Sequence, residues 1–235
     1  DSAGTRTIEI RAESEAGVRS DVLERIRDID GIEWAAAFSS AVDATNTAVP
    51  DGNRVPVRQA YGDHLSRIGI PEAQALPGQT AYASQAALDQ LGLIDISGAI
   101  TLTTGATAAI GGRAEVPDYL TGFEPLVLIP AAPDADPQTV NVVLVIADTP
   151  ELVAPVADAV LSVLAADDPS KVTVQTSEAL AQLRGLIESQ LGSSSRVLVL
   201  GLLAVTALLV AVILYGLVMM RRKDFGRRRA LGATR

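Results

Sequence analysis

Nucleophilic catalysis needs an activated Ser, Thr or Cys beside a base, and this sequence offers a single His and no Cys. That histidine, His64, stands in YGDHLSRIG, with Asp63 before it and Ser66 two positions on. Three residues this close in sequence do not make a relay, and the stretch reads as an exposed loop. His64 with Asp63 falls short of the ligand count of a zinc site. The absence of Cys excludes disulfides, thiolate metal sites and thiol nucleophiles together. The acidic pairs Asp167 with Asp168 and Asp134 with Asp136 lie beside prolines and read as solvated turns. No Gly-rich phosphate loop of the required spacing is present. Trp34 and Phe38 lie four apart in a predicted strand, so they share a face with Ala36, and core packing is the simpler reading than a ligand platform. The residue inventory therefore predicts no catalytic group, no metal and no cofactor.

The elements around these residues fall into two kinds. Residues 5–12 alternate with Ile8 and Ile10 on one face, the pattern of a half-buried strand. Val18, Val22, Ile26 and Ile29 then recur at helical intervals, predicting a helix over 17–30 capped by Ser14 and stopped at Gly31. A strand over 32–42 follows. The same order returns late in the chain: an apolar strand over 140–147, a helix opened by Pro150 with Leu152, Val153, Val156, Val160, Leu161 and Leu164 on its buried side, and a strand over 172–175. Two such units close into one split βαβ, ferredoxin-like lobe with its helices on one face.

Between them, over 43–138, frequent Pro and Gly break the chain into short pieces, as in a mostly β lobe with tight turns. Strands are predicted over 54–61, 99–103, 107–111 and 125–129, and a helix over 85–91, capped by Ser84 and ended by Gly92. The fold class is thus α+β. Its first lobe is discontinuous (1–42 and 139–196), with a mostly β lobe inserted at 43–138.

Residues 197–220 carry no charge, and about 24 residues at 1.5 Å each span roughly 36 Å, enough to cross a bilayer core of about 30 Å. This predicts one transmembrane helix. Arg221, Arg222, Lys223, Arg227, Arg228, Arg229 and Arg235 follow it, whereas Arg196 alone precedes it, so the C-terminal tail is expected in the cytoplasm and residues 1–196 outside. Export of that domain requires a leader or an earlier membrane helix upstream of Asp1. The formal net charge is −9 despite the basic tail. The acidic domain is therefore repelled by nucleic acid and anionic lipid. Ahead of the span, Ser177 caps a helical pattern with Leu180, Leu183, Ile187 and Leu191 on one face. Continued through Gly192 to Met220, it would form a rod of roughly 66 Å.

In the tail, small residues are interleaved with the basic ones. Lys223, Asp224, Phe225, Gly226, Arg227 to Arg229, Ala230, Leu231, Gly232 and Ala233 fill a pattern of basic residue, acid, apolar residue, Gly, three variable positions, Ala, a variable position, Gly and Ala. This resembles the segment just after the second transmembrane helix of the MacB/FtsX superfamily of ABC-transporter permeases. Asp224 stands where Glu is usual, and Arg227 and Arg229 where apolar residues are common. Upstream, LPGQTAYASQAALDQLGL, SGAITL and PLVLIP look like the family's extracytoplasmic segments.

The resemblance implies a non-catalytic permease subunit in the bacterial plasma membrane. It would work as a dimer or pseudo-dimer with a second permease unit, surrounded by membrane lipid, and with a cytoplasmic ATP-binding cassette ATPase that hydrolyses ATP. Residues 221–235 would begin the cytoplasmic coupling segment, with Asp224, Gly226, Arg228, Ala230, Gly232 and Ala233 at the ATPase contact. The alternative reading is a single-pass anchored extracytoplasmic receptor or scaffold domain.

Overall fold

The computed structural model describes residues 2–72, 78–132, 135–176, 206–215 and 219. Residues 1–180 form one compact unit and 181–235 another. The first unit is α+β. Strand β1 (Thr7–Ala12) leads through a helical turn at Ser14–Ala16 to helix α1 (Val22–Ile26) and strand β2 (Ile32–Phe38). The chain then makes β3 (Val42–Asn46), β4 (Val55–Tyr61), β5 (Thr80–Ala83), helix α2 (Gln85–Leu91), β6 (Gly98–Leu102), β7 (Thr107–Arg113) and β8 (Val127–Pro130). It returns through β9 (Val142–Ala147), α3 (Val153–Val163) and β10 (Val172–Thr176).

Four of these strands lie side by side in the order β10-β1-β9-β2, all antiparallel. β9 sits between β1 and β2 and is buried at every position, because both of its faces are covered. Val143, Val145 and Ala147 pack with Ile8, Ile10, Val22, Ile26, Val153, Val156 and Val160 under α1 and α3. Val142, Leu144 and Ile146 pack on the other side with Trp34, Ala36, Phe38, Leu65, Ile68 and Leu120. Two covered faces turn an alternating strand into an unbroken apolar run.

The middle of the chain closes on itself. β4, β3, β6, β7, β5 and β8 pair in that order, and β8 returns to pair with β4, making a ring of six strands. Its interior holds Ala44, Val55, Val57, Ile100, Ile110, Val127 and Ile129, with Ala87, Leu88 and Leu91 of α2 packed into the same cluster. The strand expected over 54–61 is β4, and the helix expected over 85–91 is α2. The Ser84 hydroxyl accepts from Ala87 N at 3.3 Å, and Gly92 takes the left-handed conformation after the last turn.

The helix expected over 17–30 is shorter than its periodicity. Val18, Val22 and Ile26 all reach the core, but α1 begins only at Val22. Gly17 adopts φ 69° where any Cβ would lie 2.1 Å from the Asp167 carboxylate. Arg19 then bridges to Thr139, while Val140 N donates to Val18 O at 2.9 Å. Backbone groups engaged by 138–140 are lost to a helix, so Ser14 lies inside a helical turn rather than capping one. Gly31 (φ 88°) does not stop α1, which has already ended, but turns the chain into β2. The strand expected over 32–42 divides at residues 39–41 into β2 and β3.

In the second unit, residues 206–215 and Met219 are helical, with Leu208, Leu209, Val212, Ile213, Leu214 and Tyr215 exposed. Among the described residues no helix is long and apolar enough to cross a membrane. Most of the span expected at 197–220, the helix expected from Ser177 and the junction at Gly192 lie outside the described residues.

Candidate functional site

Asp63, His64 and Ser66 are not aligned as a relay. Asp63 Oδ2 accepts from Arg27 Nη2 at 2.6 Å, and its carbonyl accepts from Trp34 Nε1 at 3.1 Å. The His64 side chain is 74 % exposed. Its Nδ1 lies 3.1 Å from Glu72 Oε1, to which Ser66 Oγ donates at 3.2 Å. These two contacts, His64 first, hold the Glu72 carboxyl below its ordinary range. Asp168 accepts from Ser170 N at 3.0 Å and Ser170 Oγ at 2.6 Å, which makes it the cap of a short turn. Among the described residues no group of His, Asp and Glu is arranged to hold a metal ion. Trp34 and Phe38 are core residues, with ring centroids 6.1 Å from Tyr119 and 6.5 Å from Phe123. The tail residues Asp224, Gly226, Arg228, Ala230, Gly232 and Ala233 lie outside the described residues.

What the described residues do contain is a set of strand ends gathered at one end of the sheet. β1 and β10 are antiparallel neighbours in which Ile8 faces Thr176 and Ala12 faces Val172. The first and last strands of the unit therefore begin and end at one end of the sheet. β9 ends there too, with Thr7 opposite Ile146, and β2 starts there, with Ile32 opposite Ala147. The six-stranded ring is attached at the opposite end, where β2 finishes at Phe38 and Asn141 N donates to Phe38 O at 2.9 Å.

A charged network ties the first of these ends together. Glu33 of β2 accepts hydrogen bonds from both Arg6, just before β1, and Arg67, in the turn after β4. Arg6 also donates to the carbonyls of Ala147 at 2.7 Å and Asp148 at 2.8 Å, and its side chain is only 12 % exposed. The hydrogen bonds from Arg67 and then Arg6 hold the Glu33 carboxyl below its ordinary range. A cleft of about 440 Å³ lies beside the network, lined by Gly4, Arg67, Glu115, Asp118, Tyr119 and Ile146 among others. Three segments distant in sequence are thus fixed to one another where the chain comes in. Arg6 and Glu33 are 27 residues apart and Arg67 a further 34 on, so no local pattern marks them.

The fold of this unit is similar to that of a solved periplasmic region of MacB. The crystal structure of the periplasmic region of MacB from Actinobacillus actinomycetemcomitans is similar over 78 % of this chain and 94 % of that one, with a TM-score of 0.52 and 10 % identity. The extracellular domain of the noncanonic ABC-type transporter YknZ from Gram-positive bacteria covers 72 % of this chain and all of its own, at a TM-score of 0.47 and 8 % identity. No family model and no curated protein sequence matches the chain. At such identities the likeness is one of fold, and it agrees with the MacB/FtsX resemblance carried by residues 223–233.

Proposed function

We propose that residues 1–196 are the extracytoplasmic domain of the permease component of a MacB/FtsX-type ABC transporter. The domain is anchored by a transmembrane helix over 197–220 and joined through 221–235 to a cytoplasmic ATPase. The observation that carries this reading is the pairing of Ile8 with Thr176. A loop between two membrane helices must bring both of its ends to one side, and the first and last strands meet that requirement. The strand order β10-β1-β9-β2, with α1 and α3 over one face, agrees with a split βαβ, ferredoxin-like lobe into which residues 43–138 are inserted.

The apolar side chains of 206–215 support the anchor. A helix presenting Leu208, Leu209, Val212 and Ile213 to water leaves each Å² of apolar surface unfavourable by about 25 cal/mol, a cost that a bilayer removes. On this reading closure of the ATPase dimer pulls on Asp224, Gly226, Arg228, Ala230, Gly232 and Ala233. The movement passes along the membrane helix to β10 and so to the sheet and its ring. A second permease unit completes the assembly, and no residue of this chain takes part in ATP chemistry.

Topology is the first test. The chain has no Cys, so single cysteines report without background. In intact cells a membrane-impermeant maleimide should label Thr104→Cys, in the exposed turn before β7, and should label Ala233→Cys only after permeabilisation. Labelling of Ala233→Cys from outside would refute the assignment.

A further inference from the structure

Arg11 of β1 and Arg58 of β4 lie over one aromatic ring. Their Cζ atoms are 5.5 Å and 5.6 Å from the centroid of Phe123. Strand alternation puts Ile8, Ile10 and Ala12 in the core under the helices, so Glu9 and Arg11 project from the other face. Across the strand pair, Glu9 stands opposite Gln175 and Arg11 opposite Thr173. Arg58 reaches the same place from the ring of strands, where its Nη1 donates to Ser39 O at 2.7 Å. Sheet, ring and the segment 118–123 therefore converge on Phe123.

The charges there do not balance. Glu9 is the carboxylate at hand, and it accepts from Arg11 Nε with its own side chain 17 % exposed. A guanidinium carries five N–H donors. Among the described residues neither Nη of Arg11, nor Nε and Nη2 of Arg58, has a hydrogen-bond partner. Burial first, and repulsion from Arg11 second, push the Arg58 pKa down, with Glu9 opposing. A guanidinium stays charged under such pressure. Two cations are thus held over one ring, in a chain whose net charge is −9, with donors left over that suit planar or tetrahedral oxyanions.

We propose that Arg11, Arg58 and Phe123 form a binding site for an oxyanion, a carboxylate or a phosphate, at the junction of the four-stranded sheet with the six-stranded ring. Bound there, the anion bridges β1 to β4, and Thr173 and Gln175 offer neutral hydroxyl and amide groups beside it. The site lies at the end of the sheet away from Thr7 and Thr176, so occupancy ties the ring to the sheet at a place the Arg6–Glu33–Arg67 network does not reach.

The test uses the full 235-residue chain, labelled with ¹⁵N-arginine, in uncharged maltoside micelles. The arginine Nε–H signals are followed during titration with sodium phosphate, sodium malonate, or micelles doped with phosphatidylglycerol, each against sodium chloride at matched ionic strength. The site predicts saturable shifts of the Arg11 and Arg58 signals with at least one oxyanion, and at least about a tenfold weakening in Arg58→Gln. Saturation by phosphate or malonate identifies a soluble ligand, and saturation by phosphatidylglycerol alone a lipid headgroup. Arg11, whose side chain is 51 % exposed, gives a second variant, Arg11→Gln, that answers even if Arg58→Gln does not fold. Shifts no greater than those with chloride, or saturable binding unchanged in the variants, would overturn the proposal.

Discussion

Ile8 and Thr176 are register partners on adjacent antiparallel strands, although nearly the whole folded unit lies between them in sequence. The first and last strands begin and end at one end of the sheet, and the six-stranded ring inserted between β2 and β9 joins the sheet at the other.

That pairing predicts a crosslink. Glu9 and Gln175 face each other one position further along, where antiparallel Cα atoms are about 4.5–5.5 Å apart, within the range a disulfide spans. The double variant Glu9→Cys with Gln175→Cys, in a chain without other cysteines, should oxidise to an intrachain disulfide that speeds migration on a non-reducing gel. Either single variant should not. An unshifted double variant would mean that β1 and β10 are not paired.

The network at Arg6, Glu33 and Arg67 predicts a pH-dependent stability term. Glu33 is held below its ordinary pKa of 4.5, so the folded state favours the ionised carboxylate. Its contribution is complete above the unfolded pKa and is lost as pH falls through the lower, folded one. Glu33→Gln should therefore destabilise the full chain at pH 7 by about 1 kcal/mol, or about 2–4 °C, discounted for its partly exposed position. The gap from the parent should close as pH falls below 4.5. A gap that stays constant down to pH 3 would show that the charge of Glu33 is not what matters.

Ser84 serves two elements at once. Its buried hydroxyl accepts from Ala87 N at the start of α2 and from Leu126 N at 3.1 Å, just before β8. Ser84→Ala strands both donors in the core of the ring and should cost about 1–3 kcal/mol in denaturant unfolding. A loss within about 0.5 kcal/mol would mean that neither bond is significant.

The sequence made the local elements legible and the long-range ones much less so. Ser84, the apolar positions of α2 and Gly92 define the helix locally, and the observed helix has the predicted bounds. β9 is equally plain because it is buried on both faces. The periodicity of Val18, Val22 and Ile26 is true of burial but misleading as helix, since Val18 reaches the core from a segment bonded to 138–140. Closure of the ring depends on β4 meeting β8 in parallel, a pairing across most of the insertion that no local pattern encodes. β5 is four residues long, TAYA, with no polar alternation, so periodicity does not mark it, whereas the family resemblance of LPGQTAYASQAALDQLGL implies a Gly-led strand there. Arg6, Glu33 and Arg67, and likewise Arg11, Arg58 and Phe123, are gathered only by topology.

On the proposed function a cytoplasmic ATPase drives this domain through the tail, and Gly232→Leu in the full-length protein probes that coupling at a single contact. On the proposed function the substitution keeps every charge, and with it the topology, while it would block a close approach of the ATPase at Gly232. The account predicts that co-purification of the ATPase and transport-coupled ATP hydrolysis fall by about tenfold or more, the effect of ~1.4 kcal/mol at the contact. Unchanged co-purification and unchanged coupled hydrolysis would contradict it and leave the tail as a topological flank.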